Sequence, residues 1–215
     1  MYLNCHTYYS LRYGTFSEEV LLKMGNYCNV KALALTDINN TSGCLNFIRL
    51  ASDYGIKPIV GIDFRNGNEP CFVGIAKNNQ GYRELNDYLS FHLHNKLPIP
   101  KSAPQLENCY VIYPFSSASV SLIESLNENE FIGVAAHDIP KFRLSKLIRH
   151  PHKLVIQQTV TFRNKRDFNS HRLLRAIDNN TLLSKVDPRE QANKEERMLP
   201  LDELIRLFEE FPLLI

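Results

Sequence analysis

The sequence lacks a long apolar run: nowhere do eighteen apolar residues follow one another. A transmembrane helix needs about 20 such residues. The opening residues, MYLNCHTYYS, also lack the basic start and the apolar stretch of a signal peptide. We therefore expect a cytoplasmic protein with no membrane partner.

An excess of positive charge is missing too. The chain has 25 Lys and Arg against 23 Asp and Glu, a formal net charge of +2. A domain that binds DNA by itself usually has a strongly basic balance. If DNA is a partner, we expect another part of the protein to hold most of it.

Paired cysteines are a third absence. The five cysteines occur singly, their number is odd, and no CxxC pair is present. This pattern predicts neither a disulfide framework nor a zinc knuckle. We expect buried, reduced thiols at Cys5, Cys28, Cys44, Cys71 and Cys109.

What the sequence does contain is a series of short apolar strands, most of them followed by a helix or a loop. The strands are predicted over residues 1–5, 30–35, 57–64, 69–76, 109–113, 131–135 and 154–160. The helices are predicted after a capping-box pattern at Thr15 and Glu18, and over 44–54, 81–93, 120–126, 142–148, 166–177 and 201–211. This order predicts an α/β barrel or a doubly wound sheet, and seven strands favour the barrel.

The length of 215 residues favours a single domain over residues 1–215. Within it, a charged stretch without glycine, SKVDPREQANKEERMLP, precedes the last predicted helix. We expect residues 180–215 to form a C-terminal helical extension of the domain.

Reactive side chains in such folds gather just past the C-terminal ends of the strands. The residues to inspect there are Asn4, His6, Asp37, Asp63, His137 and Asp138.

The same positions carry a family resemblance. Residues 3–17, LNCHTYYSLRYGTFS, resemble the opening His-x-His-Ser-x-Tyr-Ser-x-x-Asp-Gly of the PHP (polymerase and histidinol phosphatase) domain that begins bacterial DNA polymerase III alpha subunits. The segments LALTDINNTSG, KPIVGIDF, GIAKNNQGYRELNDYLS and LVIQQTVTFRNKRDFNSHRLLRAID resemble later parts of that domain, in the same order. The resemblance implies a PHP-type distorted (β/α)7 barrel.

The resemblance also implies a metal site built from histidines and carboxylates, and here the sequence departs from the family. Residues that replace expected ligands are Asn4, Tyr13, Ile38, Thr159 and Thr161. Vestigial ligand positions remain at His6, Asp37 and Asp63. Hydrolytic sites need several ligands for two or three divalent ions. We therefore expect no bound metal or other cofactor and no catalytic residue. Zn or Mn is the ion that a residual site would hold, and His137, Asp138 or Cys5 is left open as a substitute ligand.

The resemblance implies that the full polypeptide is a Mg-dependent, DNA-directed DNA polymerase whose catalytic aspartates lie beyond residue 215. We expect this chain to be cut from it and to support its palm and thumb without catalysis. The expected partners are that palm and thumb, DNA through the full chain, and replisome subunits.

Two enzymatic alternatives remain open. One is a metal-dependent phosphoesterase or 3′–5′ proofreading exonuclease with a reduced ligand set. The other is a stand-alone histidinol phosphatase, which the polymerase-like segments at 74–90 and 154–178 disfavour.

Overall fold

The structure, a computed structural model, describes residues 1–214. Its strands are β1 (Tyr2–Cys5), β2 (Ala32–Leu35), β3 (Lys57–Asn66), β4 (Glu69–Ala76), β5 (Cys109–Pro114), β6 (Glu130–Val134), β7 (Leu154–Ile156) and β8 (Thr159–Val160). Its α-helices are α1 (Glu18–Tyr27), α2 (Cys44–Ala51), α3 (Asn79–His94), α4 (Val120–Ser125), α5 (Ile139–Phe142), α6 (Lys165–Asp178) and α7 (Leu201–Leu207). Within the described range, no helix is both long enough and apolar enough to cross a membrane.

All eight strands form one sheet in the order β7-β6-β5-β4-β3-β2-β1-β8. Neighbouring strands are parallel except at β4, which runs antiparallel to both β3 and β5. A tight turn joins β3 to β4, and Gly67 in that turn has a φ of 58°. A glycine suits this position because the left-handed region carries no Cβ penalty for it.

The two edge strands of this sheet, β7 and β8, are also neighbours in sequence. Only residues 157 and 158 separate them, and such a link spans at most about 11 Å between Cα atoms. The sheet must therefore curl until its edges meet. β7 pairs with β6 and β8 pairs with β1, both in parallel, so the two act as successive halves of one closing strand. The expected distorted seven-stranded barrel is confirmed, with its last strand over 154–160.

The sheet separates two apolar layers. Alternate residues of the strands, such as Leu33, Leu35, Ile62 and Phe64, face the helices in the main core. The residues between them face the barrel interior, where an aliphatic cluster holds Ala34, Val73, Ile75 and Ile112. This alternation follows from the twofold side-chain period of a strand. The five cysteines are buried and unpaired, as expected.

Several helix boundaries differ from the expected ones. The N-cap of α1 is Ser17, whose side chain accepts from the Val20 amide, and not Thr15. The helix expected over 142–148 is wrong: α5 ends at Phe142, and a separate 3₁₀ turn covers Lys146–Arg149.

The expected helical extension over 180–215 is also largely wrong. Its one α-helix in the described range is α7, which ends at Leu207 and not at 211. The remainder is irregular apart from 3₁₀ turns at Leu183–Lys185, Pro188–Glu190 and Pro212–Leu214. Instead of projecting away, this segment returns to the barrel, where the Thr161 and Phe162 amides donate to the Glu196 carbonyl.

The close approach of β3 and β4 gives a prediction at Gly61. A Cβ added there would lie 2.2 Å from the Gly74 carbonyl oxygen. We expect Gly61→Ala to lower the free energy of unfolding by about 1–3 kcal/mol, because the backbone must shift to relieve this overlap. Urea denaturation measures it.

Gly67→Asn is the matched control, since no heavy atom lies within 4 Å of a Cβ there and asparagine tolerates the left-handed region. We expect a change within about 0.5 kcal/mol. Equal stability of Gly61→Ala and the wild type would show that the two strands lie further apart.

Candidate functional site

The centre of the candidate site is the carboxylate of Asp63, on β3 and facing the barrel interior. Only 1% of the residue is exposed. Its Oδ2 accepts hydrogen bonds from Arg65 Nη2 at 2.7 Å and Arg65 Nε at 3.0 Å. His6, just past the end of β1, places Nε2 2.9 Å from the same oxygen. Two strands thus bring an imidazole and a guanidinium onto one buried carboxylate oxygen.

Arg65 is itself buried, with 8% exposure. It lies two residues beyond Asp63, so both side chains leave β3 on the same face. Its Nη1 donates to the Tyr13 hydroxyl at 3.1 Å, and its guanidinium carbon lies 5.0 Å from the centre of the Tyr13 ring. The guanidinium is therefore held by a carboxylate on one side and by an aromatic ring and its hydroxyl on another.

These contacts fix the charge states. Burial would raise the pKa of Asp63, but the Arg65 charge and the hydrogen bond from His6 outweigh it and lower the pKa to about 2. Burial would lower the pKa of Arg65, but Asp63 more than offsets this and raises it. Burial raises the pKa of Tyr13 to about 12, against the effect of Arg65. At neutral pH the site holds an ion pair beside a neutral phenol.

Polar residues at positions of replaced ligands surround this pair. The Asn4 amide donates to Asp63 Oδ2 at 3.4 Å and to Thr159 Oγ1 at 3.2 Å. Thr161 Oγ1 lies 3.0 Å from His6 Nδ1 and donates to Glu196 Oε2 at 2.6 Å. Both ring nitrogens of His6 are thus within hydrogen-bond distance of other side chains of the site.

Ile38 lies beside the same site but contributes an apolar side chain to it. Its side chain packs in a small apolar cluster with Tyr13, Phe162 and Ala192. The structure therefore brings together Asn4, His6, Tyr13, Ile38, Asp63, Thr159 and Thr161. In the structure these residues lie close together; their assignment as former ligand positions stays a prediction.

Asp37 has a separate role. It accepts from the Thr7 amide at 2.6 Å, from Thr7 Oγ1 at 2.7 Å and from Ser10 Oγ at 2.7 Å. Burial raises the pKa of Asp37, and these hydrogen bonds oppose the rise. The carboxylate anchors the loop that follows β1 and does not join the pair at Asp63.

The substitute ligands left open by the sequence are not in ligating positions. His137 and Asp138 line the same cavity of about 180 Å³ as Asp63. Their closest nitrogen and oxygen are 3.6 Å apart, and Asp138 Oδ2 accepts from the Ala135 amide. Cys5 is fully buried in the main core.

The residues present do not fit the metal centre that the resemblance implies. Within residues 1–214, no group of three or more His, Cys, Asp or Glu side chains is arranged to hold a metal ion. The cation that contacts Asp63 is the Arg65 guanidinium. The absence of a metal in solution remains a prediction.

Sequence reasoning missed two members of the site, Arg65 and Glu196. Arg65 could have been found, because Asp63 and Arg65 share one face of a strand by spacing alone. Glu196 sits in the charged stretch after α6 and reaches the site through the barrel-closing contacts at Thr161. No local sequence pattern predicts such a long-range contact.

A larger cavity, of about 710 Å³, opens at the opposite end of the barrel. Its lining includes the aliphatic side chains of Leu3, Ile59, Ile75 and Val155 and the ring of Tyr110. Its lining includes no Asp, Glu, His or Cys. Of the two cavities, the one at Asp63 is therefore the one lined by carboxylate and imidazole groups.

Comparison with known proteins gives the family. The family model for the PHP domain matches residues 3–127, which run from Leu3 in β1 through β5 and include most of the site positions. The chain belongs to the PHP domain family. Two positions of the site lie beyond the matched range: Thr159 is in β8, and Thr161 directly follows that strand.

The curated relatives of this PHP domain include DNA polymerase III alpha subunits. That of Ureaplasma parvum is 35% identical over 94 residues, which are 44% of this chain and 10% of that protein. That of Buchnera aphidicola from Acyrthosiphon pisum is 23% identical over 251 aligned positions, covering 99% of this chain and 21% of that protein. The expected resemblance is confirmed, and this chain spans a tenth to a fifth of these relatives.

Among solved structures, an amidohydrolase from Chromobacterium violaceum is similar, with a TM-score of 0.45 and 13% identity. The similarity covers 73% of this chain and 86% of that one.

A buried histidine beside the site gives a prediction on pH. His171 Nδ1 donates to the Tyr13 carbonyl at 2.8 Å, and Nε2 accepts from the Ala192 amide at 2.9 Å. Burial lowers the pKa of His171, with Arg175 adding to the effect and Tyr13 and Glu196 opposing it. The unfolded chain therefore binds a proton more readily, and stability falls as the pH drops below about 6.5.

We expect His171→Gln to weaken this dependence, measured as free energies of unfolding at about pH 7.5 and about pH 5.5. The exposed His94, changed to Gln, is the control and should leave the wild-type dependence unaltered. An unchanged slope in His171→Gln would assign the acid sensitivity to another group.

Proposed function

We propose that this chain is a non-catalytic PHP domain that supports a bacterial replicative DNA polymerase III alpha subunit. The main observation behind the proposal is the buried ion pair in which the Arg65 guanidinium neutralises the charge of the Asp63 carboxylate. The polymerase context comes from the relatives, which are DNA polymerase III alpha subunits.

The chemistry of the site supports a structural role. Phosphoester hydrolysis on metal needs divalent ions that lower the pKa of a bound water and clamp the phosphate. A guanidinium cannot coordinate a water and lower its pKa, and the Arg65 donors are already engaged by Asp63 and Tyr13. His6, the one imidazole on Asp63, has both ring nitrogens occupied. These contacts support a structural role for Asp63 and His6 over a role in activating a water.

The proposed partners follow from this context. The domain packs on the palm and thumb of its own polymerase in the bacterial cytoplasm. DNA, Mg²⁺ and the replisome subunits belong to the full-length protein. The modest charge of +2 agrees with a domain that does not hold DNA alone.

The first test measures metal and hydrolysis on the purified chain. We expect no stoichiometric Zn²⁺ or Mn²⁺ by elemental analysis and calorimetry, and no hydrolysis of p-nitrophenyl phosphate or of DNA 3′ ends. Stoichiometric metal together with turnover that is lost in a His6→Ala, Asp63→Ala double variant would overturn the proposal in favour of the phosphoesterase or proofreading exonuclease.

The second test concerns support of the polymerase, and it uses the polypeptide that includes the polymerase region. Asp37→Ala removes three hydrogen bonds to a buried carboxylate and should cost the barrel at least about 3 kcal/mol. We expect primer extension to be lost at a lower temperature, with the rate at low temperature unchanged. Thermal inactivation assays of DNA synthesis measure this.

Asp87→Ala is the matched control, because the Asp87 side chain is 72% exposed and pairs with the exposed Arg83. It should leave the inactivation temperature unchanged. Equal inactivation temperatures for Asp37→Ala and the wild type would show that the polymerase does not depend on this domain.

A further inference from the structure

The cavity at Asp63 contains further oxygen groups. Beside the Asp63 carboxylate it is lined by Glu196 and Thr159. Oxygen ligands of this kind suit Mg²⁺, Ca²⁺ and Mn²⁺. Asp63 Oδ1 is buried and has no hydrogen-bond partner among the described residues. The Asp63 carboxylate therefore has one oxygen without a hydrogen bond, and Glu196 adds a second carboxylate to the cavity.

Arg65 supplies the balancing positive charge from within the chain. It approaches Asp63 through two nitrogens and Tyr13 through a third. A planar guanidinium presents several donors in a fixed fork, whereas an ammonium is a single point of charge. Arg65 can therefore satisfy a carboxylate, a hydroxyl and an aromatic face at once. A divalent ion on Asp63 would have to share this space with a fixed positive charge.

We propose that the Arg65 guanidinium is a built-in counterion that excludes divalent metal ions from a latent cation site at Asp63. The inference deepens the proposed function, since it states why this PHP domain holds no metal. It also predicts which single change would strengthen cation binding at Asp63, namely removal of the Arg65 side chain. The cavity would then offer the Asp63 carboxylate, with Glu196 in the same lining.

The size of the effect follows from the charges. Two unit charges about 4 Å apart, with the effective dielectric of a protein, interact strongly enough to change an affinity by more than a hundredfold. Solvent entering the vacated space reduces this. We expect Arg65→Ala to bind Mn²⁺ at least about tenfold more tightly than the wild type.

The experiment titrates the wild type and Arg65→Ala with MnCl₂ and follows free Mn²⁺ by electron paramagnetic resonance. Arg175→Ala is the matched control. Arg175 is also a buried arginine and also lies over the Tyr13 ring, at 5.6 Å, but it pairs with Asp178 and Glu190 and not with Asp63. We expect it to bind Mn²⁺ no better than the wild type.

A double variant separates metal binding from damage to the fold. Asp63→Asn added to Arg65→Ala removes the carboxylate left without its counterion, which is the costly state for a buried charge. We expect the double variant to unfold at a higher temperature than Arg65→Ala and to bind no Mn²⁺. If Arg65→Ala does not fold alone, the readout is its refolding yield, which Mn²⁺ should raise and which circular dichroism measures.

The outcomes distinguish this inference from the proposed function. Mn²⁺ binding that is equally tight in the wild type and in Arg65→Ala overturns the inference. So does an Arg65→Ala variant whose Mn²⁺ binding and refolding yield do not change, or a double variant less stable than Arg65→Ala. If only the Mn²⁺ results for Arg65→Ala and the double variant differ from those expected, the inference is overturned and the proposed function is unaffected. Hydrolysis by the wild type would overturn the proposed function.

Discussion

The buried contact between Asp63 and Arg65 constrains the whole polar end of the barrel. Each group would be costly to bury alone, and removing one partner of such a pair typically costs about 3–5 kcal/mol. The neighbouring side chains arrange themselves around it, with His6 and Asn4 reaching the same carboxylate oxygen as Arg65. The loop after β1 also contributes, since it places Tyr13 against the guanidinium. A change at any of these residues therefore alters the electrostatics of the others.

The two ends of the barrel differ in chemistry because the strands differ along their lengths. Toward one end the inward residues are aliphatic, such as Ile59 and Ile75, and they surround the larger cavity. Toward the other end they are polar, and the cavity is smaller and more completely filled by paired groups. Binding and catalysis in α/β barrels usually occur at the C-terminal ends of the strands. In this PHP domain the residues at that end are still polar, and most of them form hydrogen bonds with one another.

Much of the fold could be predicted from the sequence, because short apolar runs determine strands locally. The seven strands, the β3–β4 hairpin and the helices α2, α3 and α6 follow from periodicity and turn residues. The segment 142–148 could not be predicted in this way. Ser145 lies inside its apolar pattern and caps a 3₁₀ turn through the Leu147 amide, and serine competes with the helix for such backbone groups.

Some residues of the site could also be predicted from the sequence, and others could not. The positions of lost ligands follow from the family resemblance, and their proximity follows from strand order. The position of Arg65 could have been predicted, because the twofold alternation of a strand puts it on the same face as Asp63. Glu196 was not, because its contact with Thr161 depends on how residues 184–200 return over the barrel. Long-range returns of irregular chain have no periodic signature, so their contacts appear only once the tertiary structure is known.

The closing strand has a consequence for how the chain folds as it is made. β1 has β2 on one side, but its other neighbour is β8, and the His6 amide donates to the Val160 carbonyl about 150 residues later in the sequence. Synthesis at about 5–20 residues per second leaves this edge without its second partner for roughly 10–30 s. An unpaired strand edge can template pairing with another chain. The nascent barrel thus passes through an open, aggregation-prone stage that ends only when residues 154–160 have been added.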